Sequence, residues 1–190
     1  MMIKKLISVF VLCMLSMNVI AEEAKVRLQL RKTTTEDTLS LSNCSGKSIG
    51  LKDSSSWGDT HLYAGNLYLK KLSNEWSEFS FSFTPNKDGK LRVVLHSLGD
   101  SDTAFDSFTS KELEVRNGSF ELVSTEGKQN YIMDIDASAV ISDADQAKEG
   151  KNYIKLSDGK RFSFVVDVKE NTPVTISFFA KKIKTQKINI

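Results

Sequence analysis

The residues with the clearest potential for ligand chemistry lie in the polar segment 54–61, which reads SSSWGDTH. Trp57 stands in this segment without the alternation that marks a strand, so a position in the core does not account for it. A flat indole beside amide and charged side chains is the combination that binds the apolar face of a sugar ring and its hydroxyl groups. We therefore predict a carbohydrate site built around Trp57, which Tyr63 is close enough in sequence to join.

Further polar and aromatic side chains complete the predicted carbohydrate site. Tyr68 alternates with its leucine neighbours, so we expect its ring on the outward face of a strand. Asp59, Asn66 and Arg92 are expected to form hydrogen bonds with hydroxyl groups of the sugar. Trp76 begins a phenylalanine-rich strand, and we interpret it as packing in the core or at its rim.

The sequence offers little support for catalysis. His61 and His96 lie in unrelated contexts, without the spacing of a zinc site or a nucleophile elbow around either. Asp134 with Asp136 could supply the two carboxylates that a glycosidase places across a glycosidic bond, but acids clustered on polar loops are ordinarily solvated. We therefore expect a binding protein without glycoside hydrolase activity.

The first 21 residues have the composition of a secretory signal peptide. Lys4 and Lys5 form a basic start, residues 6–17 are almost uniformly apolar, and residues 19–21 (VIA) supply a small-residue cleavage signal. The apolar run is shorter than the roughly 20 residues that a membrane-spanning helix needs. We predict cleavage after Ala21, export to the periplasm or the extracellular space, and no membrane span.

The charge balance argues against nucleic acid as a partner. The full chain has 26 basic and 24 acidic side chains, and residues 1–21 hold two of the lysines and no acid. The predicted exported chain is therefore formally neutral, whereas binding to a phosphate backbone needs a net or local basic excess. The lysine-rich run 181–187 is interpreted as a solvated edge strand, because edge lysines discourage aggregation between strands.

Cysteine usage leaves the fold dependent on its core. Cleavage would leave Cys44 as the only cysteine, so no disulfide could form within the chain. About 170 residues are enough for one well-packed core. We interpret Cys44 as a buried side chain that fills space in the core. The alternative is a reactive thiol or one that forms an intermolecular disulfide.

Alternation with a period of two recurs along the chain and predicts β-strands. Val26, Leu28 and Leu30 alternate with polar residues. The same pattern appears in residues 79–83, 91–96, 152–156, 162–168 and 174–180. Turn sequences such as PNKDG and SDGK separate these runs. Strands at short intervals with polar connections predict an all-β fold, an antiparallel β-sandwich with one buried and one solvated face on each sheet.

Several of these segments resemble carbohydrate-binding modules of the galactose-binding-domain-like jelly-roll class. Segment 117–121 (NGSFE) is similar to the opening strand of such a module, segment 149–156 (EGKNYIKL) to its following strand and segment 175–181 (TISFFAK) to its central strand. The segments similar to its end are 75–83, 89–95 and 105–108 (FDSF). The resemblance implies a jelly roll that binds a glycan.

The matching segments occur in reversed order about residue 116, and two arrangements explain the reversal. The chain is either a circular permutant of one module, with residues 22–190 as a single domain, or the end of one module followed by the start of the next. A signal peptide directly before the first strand and the length of a single domain favour the permutant. The permutant predicts that residues 24–30 lie next to residues 176–182.

The resemblance also implies a structural calcium ion. Its carboxylate ligands would be Glu121 of the opening motif and Asp106 of the closing motif, with backbone carbonyls completing the six to eight oxygens that calcium requires. Capping or pairing of the two acids at the surface is the alternative.

Taken together, these features predict a secreted, non-catalytic carbohydrate-binding module that recognises a glycan by aromatic stacking. The alternative is a protein-interaction or adhesin-like structural module of the cell envelope. Such a module would accept a protein partner at an unpaired sheet edge, as in β-augmentation.

Overall fold

The computed structural model describes residues 25–67, 72–99, 101–123 and 131–183. The predicted signal peptide and Tyr68 lie outside the described residues, as do residues 184–187 of the lysine-rich run. The twelve strands of the described part are β1 Val26–Lys32, β2 Leu41–Lys47, β3 Ile49–Asp53, β4 His61–Leu67, β5 Ser77–Pro85, β6 Gly89–Ser97, β7 Asp102–Ser110, β8 Ile132–Met133, β9 Val140–Ser142, β10 Asn152–Leu156, β11 Arg161–Val168 and β12 Val174–Ile183. Two short 3-10 turns, Ser55–Trp57 and Ala137–Ala139, interrupt them.

The described strands form two antiparallel sheets that pack face to face. The strand order in sheet 1 is β3-β4-β1-β6-β11-β8, and the order in sheet 2 is β2-β5-β12-β7-β10-β9. One continuous hydrophobic cluster joins the inner faces of the two sheets. The predicted all-β fold, an antiparallel β-sandwich, is therefore confirmed.

Alternation explains which side chains form the core. In β5 and β12 the inward residues are phenylalanine, isoleucine, valine and alanine, and each is almost completely buried. In β1 the inward side is equally apolar, while Arg27, Gln29 and Arg31 point outward from sheet 1. A strand exposes alternate side chains to opposite faces, so the same pattern that fills the core also sets the composition of the outer face.

The chain itself crosses between the sheets at both sides of the sandwich. It passes from β2 in sheet 2 to β3 in sheet 1 through Ser48, whose φ of 65° allows the sharp corner. On the other side it passes from β8 in sheet 1 to β9 in sheet 2. The described strands that flank this second crossing are only two and three residues long, and short edge strands offer few groups for pairing with another chain.

The first and last described strands belong to different sheets. β1 pairs with β4 and β6 in sheet 1, whereas β12 pairs with β5 and β7 in sheet 2. Residues 26–30 and 176–182 are therefore not paired with each other in one sheet, as the expectation for residues 24–30 would place them. Strands from before and after residue 116 are nevertheless neighbours in both sheets, as β6 with β11 and β5 with β12 show.

Within the described residues there is no helix of the length and apolarity that a membrane span would require.

Cys44 lies in a bulge of the edge strand β2, next to Asn43, which has a φ of 52°. Its side chain packs against the core, and burial raises the pKa of the thiol to about 11. Because the thiolate is the reactive form, we expect Cys44 to react with iodoacetamide at pH 8 at least about 100-fold more slowly than free glutathione. Mass spectrometry of the alkylated peptide distinguishes Cys44 from Cys13. Modification at the glutathione rate would contradict the burial of this thiol.

Candidate functional site

Trp57 ends a short 3-10 turn that connects β3 to β4. Asp53 begins the turn, because its Oδ1 accepts the backbone N–H of Ser55 at 2.9 Å. The N–H of Trp57 donates to the carbonyl of Ser54 at 2.8 Å. Gly58 follows with a φ of 135°, a conformation that side chains disfavour. This local geometry leaves the indole 51 % exposed, as its polar sequence context predicts.

Two side chains hold the indole over the outer face of sheet 1. The guanidinium of Arg27 on β1 lies 5.0 Å from the centre of the Trp57 ring. The His61 ring packs against Trp57 at a centroid distance of 6.2 Å and an angle of 65°. A cation over the face of an indole is worth about 0.5–1 kcal/mol at an exposed position. The contacts orient the ring without burying it.

A cavity of about 320 Å³ opens beside the indole on this face. Its lining consists of Arg27, Gly50, Lys52, Asp53, Ser54, Trp57, Ala64, Gly65 and Asn66. The register places Gly50 opposite Asn66 and Lys52 opposite Ala64, so small residues form the floor where β3 meets β4. A Cβ on Gly65 would lie 2.6 Å from the carbonyl oxygen of Gly50, which is why only glycine permits this close pairing.

The rim of the cavity combines hydrogen-bond donors and acceptors. The side-chain oxygen of Asn66 accepts a long hydrogen bond of 3.5 Å from Nε of Arg27. Hydrogen bonds from Ser55 lower the pKa of Asp53, so its carboxylate form is favoured. Lys52 supplies an ammonium group on the same rim. The arrangement offers an apolar ring, cationic donors, an amide and a carboxylate acceptor within one small volume.

The predicted carbohydrate residues are distributed unequally around this cavity. Trp57 and Asn66 both line it, and Asp59 lies in the turn between Trp57 and β4 without lining it. Tyr63 points to the other side of β4, where it packs against the core and its hydroxyl donates to the carbonyl of Leu41 at 3.3 Å. Tyr63 and Asn66 are three residues apart in one strand, and such residues face opposite sides.

Arg92 lies on the same outer face, but not in the cavity. It belongs to β6, which is separated from β4 by β1. Its Nη1 lies 3.8 Å from Oδ2 of Asp134. The cavity instead contains Arg27, Lys52 and Asp53, which sequence reasoning missed. Alternation identifies Arg27 and Lys52 as outward residues, but only the pairing of β3, β4 and β1 brings them to Trp57.

Asp106 is completely buried and anchors the loop that precedes β10. Its Oδ2 accepts the backbone N–H groups of Lys148 and Glu149 at 2.8 and 3.1 Å, and its Oδ1 accepts that of Ser107 at 2.7 Å. Burial raises the pKa of Asp106 to about 6, against these hydrogen bonds, which favour the charged form. The predicted metal ligand is therefore occupied by amide donors.

Glu121 holds the next part of the same loop. Its Oε1 accepts the backbone N–H groups of Lys151 and Asn152 at 2.9 and 2.7 Å. Like Asp106, it faces N–H donors, whereas calcium requires oxygen ligands around it. Within residues 25–67, 72–99, 101–123 and 131–183, no three His, Cys, Asp or Glu side chains form a metal-binding group. Structural calcium stays a prediction, which melting temperatures with calcium and with chelator would test.

Trp76 packs against the outer side of sheet 2. Its Nε1 donates to the carbonyl of Gln146 at 3.1 Å, and its ring meets that of Tyr153 edge-on at 6.1 Å. Nζ of Lys181 lies 4.6 Å from the centre of the Trp76 ring and also donates to the Gln146 carbonyl at 2.8 Å. Trp76 therefore fastens the loop before β10 to the sheet and differs from Trp57 in having its polar atom satisfied within the protein.

No family model, no curated protein and no solved structure matches this chain. The functional conclusion therefore depends on the chemistry of the Trp57 cavity.

Proposed function

We propose that this protein is an exported, non-catalytic carbohydrate-binding protein whose ligand stacks on Trp57. The observation that carries the proposal is the half-exposed indole, held by Arg27 beside a cavity with a polar rim. Folding ordinarily buries so large an aromatic side chain, and an exposed one beside a concavity is typical of a ligand contact.

The rim of the cavity supports a sugar in preference to an apolar ligand. A sugar ring offers C–H groups on its faces and hydroxyl groups around its edge. Asp53 and the Asn66 side-chain oxygen can accept from hydroxyl groups, while Lys52 and Arg27 can donate to them. The floor of Gly50 and Ala64 leaves room for the edge of a ring to enter.

The same cavity supports binding without catalysis. A glycosidase places two carboxyl groups on either side of the glycosidic bond. Among the described residues that line the cavity, Asp53 is the only acid, and its Oδ1 already accepts the Ser55 amide. Export follows from the composition of residues 1–21 and belongs to the same proposal.

Replacement of Trp57 by alanine tests the proposal. We expect binding to the glycan selected on an array to weaken at least about tenfold, because truncation of a central aromatic contact typically costs more than about 1 kcal/mol. The melting temperature should fall by no more than about 4 °C, since the change removes only two surface contacts, the cation–π contact with Arg27 and the edge contact with the His61 ring. Calorimetric titration and thermal unfolding measure the two quantities.

Tyr131→Ala is the matched control. Tyr131 is equally exposed, at 55 %, and its ring has Arg116 5.4 Å from its centre. It directly precedes β8, at the opposite edge of sheet 1 from β3. Binding of a short oligosaccharide should be unchanged. Equal binding by the Trp57 variant and the wild type would refute this site, and an array without any bound glycan, together with co-purifying proteins, would favour the protein-interaction alternative.

A further inference from the structure

The outer face of sheet 1 carries a set of basic side chains that face one another across the strands. In one row the register aligns Arg27 of β1 with His96 of β6 and then with Arg161 of β11. In a parallel row Arg31 of β1 stands directly opposite Arg92 of β6. Side chains at directly opposed positions have Cβ atoms about 4.5–5.5 Å apart, so these groups are immediate neighbours.

Placing Arg31 opposite Arg92 is unfavourable for the protein alone. Like charges at directly opposed positions destabilise a sheet. Burial, followed by the charges of Arg92 and Arg161, lowers the pKa of the Arg31 guanidinium. Arg31 Nη2 donates to the neutral hydroxyl of Thr60 at 3.0 Å. Asp134 approaches Arg92 at 3.8 Å, and Nε of Arg92 is buried without a hydrogen-bond partner among the described residues.

This basic face is continuous with the Trp57 cavity. Arg27 belongs to both, because it lies over the indole and lines the cavity. His61 connects them a second time, since it packs against Trp57 and stands opposite Arg31 in the register of β1 and β4. A ligand stacked on Trp57 can therefore extend over the arginines without leaving sheet 1.

We infer that the carbohydrate bound at Trp57 is acidic, with carboxylate, sulfate or phosphate groups that bind the arginine face formed by Arg27, Arg31, Arg92 and Arg161. The inference rests on the proposed function, whose ligand class it narrows. Guanidinium groups bind such anions through two parallel hydrogen bonds, which a hydroxyl group cannot match. A bound anion would also neutralise the repulsion between Arg31 and Arg92.

The carboxylates of the face favour an acidic sugar over nucleic acid. Asp53 stands in the cavity, and Asp134 stands beside Arg92. An acidic sugar carries several free hydroxyl groups beside each anionic group, and these can donate to both carboxylates. A nucleic acid backbone carries a phosphate at every nucleotide and few free hydroxyl groups, so it meets the carboxylates mainly with like charge. The full chain has a formal charge of only +2, so the basic excess is local to this face.

The test compares acidic polysaccharides with their neutral forms. The probes are polygalacturonate, carrageenan and phosphomannan, each paired with its carboxyl-reduced, desulfated or dephosphorylated neutral counterpart. We expect at least one acidic form to bind, its neutral counterpart to bind at least about tenfold more weakly, and the difference to shrink at high salt because screening weakens exposed charge pairs.

The variants identify the arginines responsible. Arg31→Gln with Arg92→Gln should weaken binding of the acidic form at least about fivefold and leave binding of the neutral form unchanged. If the double variant does not fold, Arg161→Gln replaces it in the same binding measurement, because the side chain of Arg161 is exposed. Lys47→Gln is the control, because Lys47 lies on β2 in sheet 2, where it pairs with Glu78 at 3.1 Å. It should bind as the wild type does.

Each remaining outcome overturns the inference in a distinguishable way. If binding depends on Trp57 but is equally strong for the acidic and neutral forms, the inference that the ligand is acidic is refuted and the proposed function stands. Failure of every probe to bind in a Trp57-dependent manner would refute the acidic ligand, while the proposed function would still be decided by the array glycan and the Trp57→Ala variant. Equally strong binding of an oligothymidylate or of phosphatidylglycerol vesicles, insensitive to Trp57→Ala, would indicate a general polyanion surface in place of a sugar site.

Discussion

Replacement of Phe178 by alanine is expected to lower the free energy of unfolding by about 3–5 kcal/mol, which is a large part of the roughly 5–15 kcal/mol typical of a whole domain. Phe178 is completely buried in β12, and its ring stacks on that of Phe108 at a centroid distance of 4.7 Å and an angle of 5°. It also contacts the rings of Phe79, Phe81 and Phe105 within 6.5 Å. Truncation therefore leaves a cavity lined by rings that rigid strands keep from closing.

The neighbouring residue provides a control of the same type. Phe179 points to the outer side of β12, is only partly buried, and has the ammonium group of Lys148 4.4 Å from its ring centre. Phe179→Ala should cost no more than about 1.5 kcal/mol, because it removes partial burial and one cation–π contact. Urea denaturation followed by tryptophan fluorescence measures both variants. Equal losses would mean that β12 does not place residue 178 at the centre of the sandwich.

The contribution of Asp106 to the free energy of unfolding should decrease as the pH rises from about 4 to about 6. Burial raises the pKa of this carboxyl to about 6 in the folded state, above the value of 3.8 for the unconstrained group. The folded chain therefore holds the proton more tightly than the unfolded chain. The stabilising contribution is complete below about pH 4 and is lost as the pH rises through about 6, with a total of about 3 kcal/mol.

The variant Asp106→Asn isolates this contribution, because asparagine keeps the shape and cannot ionise. Urea denaturation of both proteins between pH 4 and pH 7.5, in the presence of a chelator, gives the two pH profiles. The difference between them should change by about 2–3 kcal/mol over this interval. Asp37 and Glu112 have lowered pKa values, so they act in the opposite direction, but they are common to both proteins and cancel. Parallel profiles would show that Asp106 does not titrate in this range.

The two stability predictions concern parts of the molecule that lie away from the proposed ligand. Phe178 lies in the hydrophobic core between the two sheets, and Asp106 fastens the loop before β10 through the amides of Lys148 and Glu149. The ligand predictions concern the outer face of sheet 1. Variants in one group should therefore leave the measurements for the other unchanged while the protein remains folded, because distant sites contribute additively.

The sequence was sufficient to predict the fold class. Val26, Leu28 and Leu30 alternate with polar residues, and alternation with a period of two is a local property that needs no knowledge of partner strands. The pairing of the strands was not predictable in the same way. The resemblance to a rotated module suggested that β1 lies next to β12, yet the two strands belong to opposite sheets. The pairing of two strands depends on the positions of all the other strands in the sheets, which the local pattern of either strand does not contain.

The candidate site was predictable in part for the same reason. Trp57 was identified from its polar context, and the alternation of residues 63–67 already implies that Tyr63 and Asn66 face opposite sides. The position of His61 could not be inferred from alternation. A bulge in β4 opposite Leu30 and Arg31 shifts the register by one residue and turns His61 outward, toward Trp57. A bulge reverses the facing of every residue beyond it.

The sequence by itself determined that the chain forms a β-sandwich and that Trp57 is not part of its core. Only the tertiary structure decided what surrounds the indole and how charge is distributed over the outer face. Arg27 meets Asn66 although 39 residues separate them, and Arg31 faces Arg92 from another strand. Alternation fixes which face of a strand a side chain occupies, whereas the order and register of the strands fix its neighbours on that face. A chain with a net charge near zero can therefore have a basic surface on one face, which its overall composition does not indicate.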